Sequence, residues 1–355
     1  MKKQITNKAL TLIFSLLVSL CLFAPLQARA EADFNASEMI LEHIGDSYEW
    51  HFTNIGDTPV AIPLPVIVYS QVRGEWFCFS SSHLEEGEEY QGFRIAREGD
   101  YEGKVVETDA QGQEVRPVDI SLTKNAVALL INSALLIAIV LGCARWYRNK
   151  QVTDASPNGF VGIMEMMVSM VYYDIIKANI PVHVQRYAGY LLCAFFFIFF
   201  NNLIGLIPGS ANLTGNIAIT FVLALCTFLM VNLFGNKEYW KEIFWADVPG
   251  WLKPVMAVIE FFGIFTKPVA LMIRLFANIM AGHAALLALV SVIFITFSIS
   301  AVLGTLMTPL TIVFCVFLDC LELLVAFIQA YVFTMLSAVF IGMSRVGSKE
   351  HQKRE

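Results

Sequence analysis

The chain has 355 residues, 57% of them hydrophobic and 15% charged, with a formal net charge of −6. A soluble domain carries about a quarter of its residues as Asp, Glu, Lys and Arg, so this composition belongs to an integral membrane protein. The charges concentrate in the N-terminal third and a few loops, and no clustered basic face exists, which excludes a nucleic-acid partner.

In chain order, Lys2, Lys3 and Lys8 precede the apolar run "ALTLIFSLLVSLCLFA", and "LQARA" then places Ala28 and Ala30 at the A-x-A spacing of signal peptidase. Residues 1–30 are expected to be a cleaved signal peptide, which sends residue 31 onward out of the cytoplasm. Residues 31–123 are polar and acidic, with "EWHF", "PVAIPLPVIVYSQV" and "EWFCFSSS" separated by Gly, Pro and Asp turn signals. This pattern predicts a small exported domain of β or irregular structure. Its acidic run "EEGEE" (85–89) reads as a solvated loop, and His43, His51 and His83 share no ligand spacing. Of seven cysteines, Cys21 lies in the signal, Cys78 is alone in the exported segment, and the other five sit in apolar stretches. Neither a disulfide framework nor a metal or cofactor site is expected.

Residues 124–345 read as an all-α polytopic membrane domain. "AVALLINSALLIAIVLGCA" (126–144) has the ~20-residue length that spans a ~30 Å hydrocarbon core. It stops at Arg145, Arg148 and Lys150, the positive flank of a cytoplasmic end. The stretch 157–180 is interrupted by Glu165, Asp174 and Lys177, which suits an interfacial or partly buried cytoplasmic helix. Two further spans, 187–207 and 216–235, form a hairpin around the uncharged link "PGSANLT"; the charged, aromatic loop that follows suits the cytoplasmic interface. Two apolar segments, about 254–296 and 299–345, are each twice an upright span, so each is expected to be a long tilted helix, or one broken at Pro268. The reading is five membrane passes in a bacterial cytoplasmic membrane, with a basic cytoplasmic tail at 346–355.

The last two segments carry Glu260, Lys267, Arg274, Asn278, His283, Asp319, Glu322 and Gln329. An ionisable group at bilayer depth costs at least ~2.5 to 3.5 kcal/mol, so a set of them points to function. Glu260 and Lys267, nearer the cytoplasmic end, are equally suited to fastening helices at the interface. Glu260, Lys267 and Arg274 are seven apart and make one slowly drifting stripe that Asn278 continues, while His283 points to the other side. Asp319, Glu322 and Gln329 share a face of the final helix. If the two segments pack antiparallel with Gln329 level with Arg274, Glu322 comes level with His283. A histidine beside carboxylates makes a proton relay, because imidazole titrates near neutrality and burial raises a carboxylate toward the same range. Arginine keeps its proton at physiological pH, so its part is to attract a moving carboxylate and repel stray cations.

"KPVALMIRLFANIMAGH" (267–283) resembles the arginine-bearing helix of subunit a of rotary F-type ATP synthases, in which a KP pair precedes an R-L-F-x-N-x-x-A-G pattern. "FFNNLIGLIP" (199–208) is similar to that family's hairpin turn, and "LLVAFIQAYVFTMLSAVFI" (323–341) to its final helix around a polar Gln. The resemblance runs over about 126–345 and implies a stator subunit with two offset half-channels beside a rotating ring of c subunits, held by b-type peripheral stalk subunits in the lipid bilayer. By this resemblance Arg274 is the essential charge that separates the half-channels, Asn278 and Gln329 support it, Glu260 lies toward the cytoplasmic exit, and Asn202 and Lys267 are candidates for the polar lining of a half-channel. ATP chemistry then belongs to other subunits, in keeping with the lack of a phosphate-cradling Gly-rich motif. Two departures stand out. Many members carry the carboxylate after "AG" and the histidine seven before the Gln, whereas here His283 and Glu322 stand exchanged. The often acidic hairpin position is Gly205, which leaves Asp319 to supply an extra acid. The competing readings are a self-contained secondary transporter, which predicts internal repeats and a central substrate site, and a structural anchor whose polar stripes only fasten helices. His283 favours H⁺ over Na⁺ as the ion.

Overall fold

The computed structural model describes residues 45–55, 58–87, 89–96, 101, 103–109, 113–148, 157–180, 183–207, 210–245 and 248–345. The expected signal peptide, His43 and the basic tail at 346–355 lie outside the described residues. The chain divides into two units: one comprises Met1–Gly45, Thr53–Val60 and Met280–Leu324, the other Asp46–Phe52, Ala61–Ile279 and Val325–Glu355.

Short strands form where β-branched and aromatic runs predict them: β1 (Glu49–Ile55), β2 (Thr58–Pro63), β3 (Pro65–Tyr69), β4 (Trp76–Ser80), β5 (Phe93–Ile95), β6 (Val105–Thr108), β7 (Glu114–Val115) and β8 (Val118–Asp119). They make a two-stranded sheet and two three-stranded antiparallel sheets, ordered β4-β3-β8 and β5-β6-β7. On β3, Val66 and Val68 are fully buried while Pro65 is exposed and Ile67 and Tyr69 are half-buried, the two-residue alternation of a half-buried strand. These two valines pack with Tyr48, Phe79, Leu84 and Phe93 as a small core. Glu107 is buried and satisfied, since its carboxylate accepts from the Ser70 hydroxyl and, at 2.9 Å, from Gln71 N. The first residues of "EEGEE" close a 3₁₀ helix, Ser81–Gly87, rather than a loop. The buried Leu84 and a 3.0 Å bond from Leu64 N to Ser81 Oγ hold that turn in place.

The helices follow as α1 (Lys124–Arg148), α2 (Phe160–Met170), a π-helical stretch Val171–Ile176, α3 (Lys177–Asn179), α4 (Val184–Gly205), α5 (Ile217–Leu233), α6 (Lys237–Phe244), α7 (Lys253–Ile299) and α8 (Ala301–Met343). The 157–180 stretch is the partly buried helix its charges predict: Met164, Met167, Val171, Ile175 and Ile176 are buried, while Glu165, Asp174 and Lys177 are exposed. Its inner side joins Tyr187, Leu191, Phe195 and Ile198 of α4 in the main helical core. In lipid such helices associate through close packing and interhelical hydrogen bonds, each worth ~0.6 kcal/mol on average. Asn132 Nδ2 to Asn201 Oδ1 at 3.0 Å joins α1 to α4, and Tyr190, Thr227 and Ser337 chain α4, α5 and α8 at 2.8 and 3.2 Å.

Among the described residues four helices, α1, α4, α7 and α8, are long and apolar enough to cross a membrane. The stretch expected as a further pass, 216–235, forms α5, a 17-residue helix that falls short of that length. The 47-residue α7 is continuous through Pro268, so the broken-helix alternative does not hold. Proline removes one backbone bond, which a helix among packed neighbours tolerates. In the unit containing Met280–Leu324, only Ser300 separates α7 from α8, with Ser300 N bonded to Thr296 O and Gly304 N to Ser300 O. Glycine is required at 304, where a Cβ would lie 2.5 Å from the Phe297 ring.

Candidate functional site

Within the Met280–Leu324 unit, His283 on α7 meets Glu322 on α8, with Nδ1 and Oε1 2.5 Å apart. Glu322 is buried at 8% exposure, and its pairing with an imidazole satisfies a carboxyl group that would otherwise be costly there. The neighbouring glycine makes room for it: a Cβ on Gly282 would stand 3.1 Å from Glu322 Oε1. Asp319, one turn before Glu322 and half-buried, lies within electrostatic reach of both partners. Three titratable groups are thus brought together, a donor and acceptor set able to hold and exchange a proton.

Within the other unit, Gln329 of α8 is buried at 3% exposure and donates from Nε2 to the backbone carbonyl of Arg274 at 2.8 Å. The guanidinium itself is directed elsewhere: Arg274 is exposed, and so are Ala270 and Ala277 one turn to either side on the same face. Among the described residues no carboxylate stands within ion-pair distance of it. Asn278, one turn on, is exposed as well.

Glu260 and Lys267, expected in the same stripe as Arg274, are half-buried instead. A heptad spacing drifts by ~20° per repeat on a straight α-helix, and that drift accumulates from Glu260 to Arg274. Lys267 Nζ lies 5.8 Å from the Phe340 ring centroid of α8, a cation–π contact, and borders a crevice with Thr227, Asn232 and Tyr239. Glu260 faces Tyr239 of α6; burial, with the Glu260 charge adding to it, pushes the Tyr239 phenol above its usual range.

Asn202 on α4 is buried at 3% exposure, donating to Ala326 O of α8 at 3.2 Å and accepting from Thr214 Oγ1 at 2.6 Å. Sequence reasoning missed its companions Asn132, Asn201, Asn212 and Thr214. Amides recurring within apolar stretches were the available signal, since each must find a partner in a dry interior. Gly205 ends α4 against Asn212, whose Oδ1 would lie 3.6 Å from a Cβ there.

Four membrane-length helices among the described residues, two of them retaining ionisable and amide side chains along their length, define a polytopic membrane protein. The chain belongs to the ATP synthase A chain family, whose model matches residues 128–342. It is 41% identical to ATP synthase subunit a of Chloroherpeton thalassium over 244 residues, 67% of this chain and 70% of that protein. It is similarly 41% identical over 241 residues to subunit a of Pelodictyon phaeoclathratiforme, covering 66% of this chain and 69% of the relative. Against subunit a of Myxococcus xanthus the identity is 40% over 243 residues, 66% of this chain and 76% of the relative. Residues 39–126 match a separate domain of unknown function.

Proposed function

We propose that the chain is the proton-conducting stator subunit of a rotary ATP synthase, forming two offset half-channels that carry protons to and from carboxylates on a ring of c subunits. The ATP chemistry resides on other subunits, and b-type peripheral stalk subunits hold this one against the ring. One observation carries the reading: Arg274 is exposed on α7, and among the described residues no carboxylate stands within ion-pair distance of it. A fixed cation kept at such cost suits a carboxylate that arrives from another chain, is drawn into its ionised form, and moves on.

His283, Glu322 and Asp319 form the relay that loads or unloads that carboxylate, and Asn202 lines the half-channel open to the outside. Glu260 and Lys267 border the cytoplasmic exit, while Asn278 and Gln329 support Arg274. In this reading α5 completes five passes, residues 1–30 are a cleaved signal, 31–123 form an exported domain, 124–345 the channel domain, and 346–355 a cytoplasmic tail. The chain lies in the bacterial cytoplasmic membrane with its N-terminal domain outside. Membership of the ATP synthase A chain family favours this over a self-contained transporter. The test is Arg274→Ala in the assembled complex. ATP-driven proton pumping into everted vesicles should vanish while the complex stays intact; unchanged pumping sinks the reading.

A further inference from the structure

The N-terminal strands do not hang from α1 by a bare tether. Residues Asp46 to Trp50 make three attachments in succession, all within one unit. Ser47 O accepts from Lys124 N at 2.9 Å, and Asp46 Oδ1 from Asn125 N at 3.2 Å, so this segment caps the first turn of α1. Tyr48 is buried in the strand core, its hydroxyl bonded to the Asp119 carboxylate. Two residues on, Trp50 packs against the buried cluster of Ala128 on α1 with Ala211 and Leu213 of the link between α4 and α5.

That link reaches the site. Leu213 and Thr214 are fully buried neighbours in the single 3₁₀ turn Leu213–Gly215. Thr214 bonds to Asn202, and Asn202 to Ala326 O on α8, three residues before Gln329. Asn212 Oδ1 secures the same turn by accepting from Gly215 N at 3.1 Å. Its Nδ2 is buried with no hydrogen-bond partner among the described residues.

We infer that the Asp46–Trp50 segment is a positioning clamp: through Trp50 the N-terminal domain holds the 210–216 link, and with it Thr214, over Asn202, and so sets proton access from the outer side. The inference rests on the reading of Asn202 as part of the outward half-channel. Trp50 acts through the link. Without the indole, the link loses its apolar anchor and Thr214 its fixed register on Asn202. Proton uptake then needs a higher proton concentration on that side alone.

The test uses the whole complex in proteoliposomes, making ATP under a fixed membrane potential. The pH is varied on the side of the N-terminal domain, then separately on the other side. Trp50→Ala should move the half-maximal pH on the N-terminal side to lower pH by roughly half to one unit, the scale of one lost hydrogen bond. The profile for the opposite side should stay put, and Trp50→Phe should restore the parent profile. A uniform loss of rate without a pH shift, or a parent-like Trp50→Ala, overturns the clamp. Asn202→Leu serves as the control. If it shifts the same profile while Trp50→Ala does not, only the clamp fails; if it shifts nothing, the half-channel reading fails and the clamp falls with it.

Discussion

Gln329 binds the backbone carbonyl of Arg274, at 2.8 Å, rather than its guanidinium. The amide therefore fixes the position of the helix that carries the charge and leaves the guanidinium out of that bond. Gln329→Leu should keep coupling but slow it: one hydrogen bond is worth about 0.5 to 1.5 kcal/mol, or roughly twofold to tenfold in rate. Arg274→Lys should lose far more, because a compact, strongly hydrated ammonium is not equivalent to a guanidinium at such a site. Fluorescence-quench assays of ATP-driven pumping, normalised to assembled complex, rank the two. A larger loss in Gln329→Leu would contradict this division of roles.

The contact of His283 with Glu322 at 2.5 Å makes one acid and one base a unit. The exchanged double variant His283→Glu with Glu322→His should retain more pumping than either single change, each of which places two like groups together. Gly282→Ala belongs to the same test, since its Cβ would press on Glu322 Oε1 at 3.1 Å. A several-fold loss is expected from displacing the carboxylate by a few tenths of an ångström. Equal loss in all the swap variants would dissolve the pairing.

In the N-terminal domain, burial pushes the Asp119 carboxyl up, but bonds from Ser121 and Tyr48 outweigh it and hold the group below its usual 3.8. A depressed folded-state value means the ionised group stabilises the domain fully above the unfolded value, and that contribution is lost as pH falls through the folded value. Hydrogen exchange of the strand amides in the full chain should thus accelerate as pH drops below about 4, beyond the intrinsic rate change. Asp119→Asn should exchange faster at pH 7 and show a flatter acid response. Identical acid profiles for parent and variant would remove Asp119 from the account.

At the end of α8, Arg345 donates from Nε to the buried Tyr187 hydroxyl at 2.9 Å and from Nη1 to Asn236 Oδ1 at 2.9 Å. Arg345→Ala leaves a buried hydroxyl without this donor, which costs about 1 to 3 kcal/mol. The melting temperature of the purified chain should fall, and adding Tyr187→Phe should cost little more. Full additivity of the two losses would show that the contact carries no coupling.

Much of this protein was legible before any fold was known. The bilayer imposes a length on every span and a cost on every charge, so apolar runs and interrupting residues stand out without knowledge of packing. Antiparallel register alone set His283 level with Glu322. Periodicity leaves rotation and side-chain direction open to about half a turn, and that freedom is where tertiary structure decided matters. It turned Gln329 to a carbonyl, carried Glu260 and Lys267 inward from the face of Arg274, and kept α7 whole through Pro268. It also assembled Asn132, Asn201, Asn202 and Thr214 from separate stretches and joined Trp50 to them through Leu213. Partners so distant along the chain are selected by which polar groups remain unsatisfied when the helices meet, a condition that exists only in the folded protein.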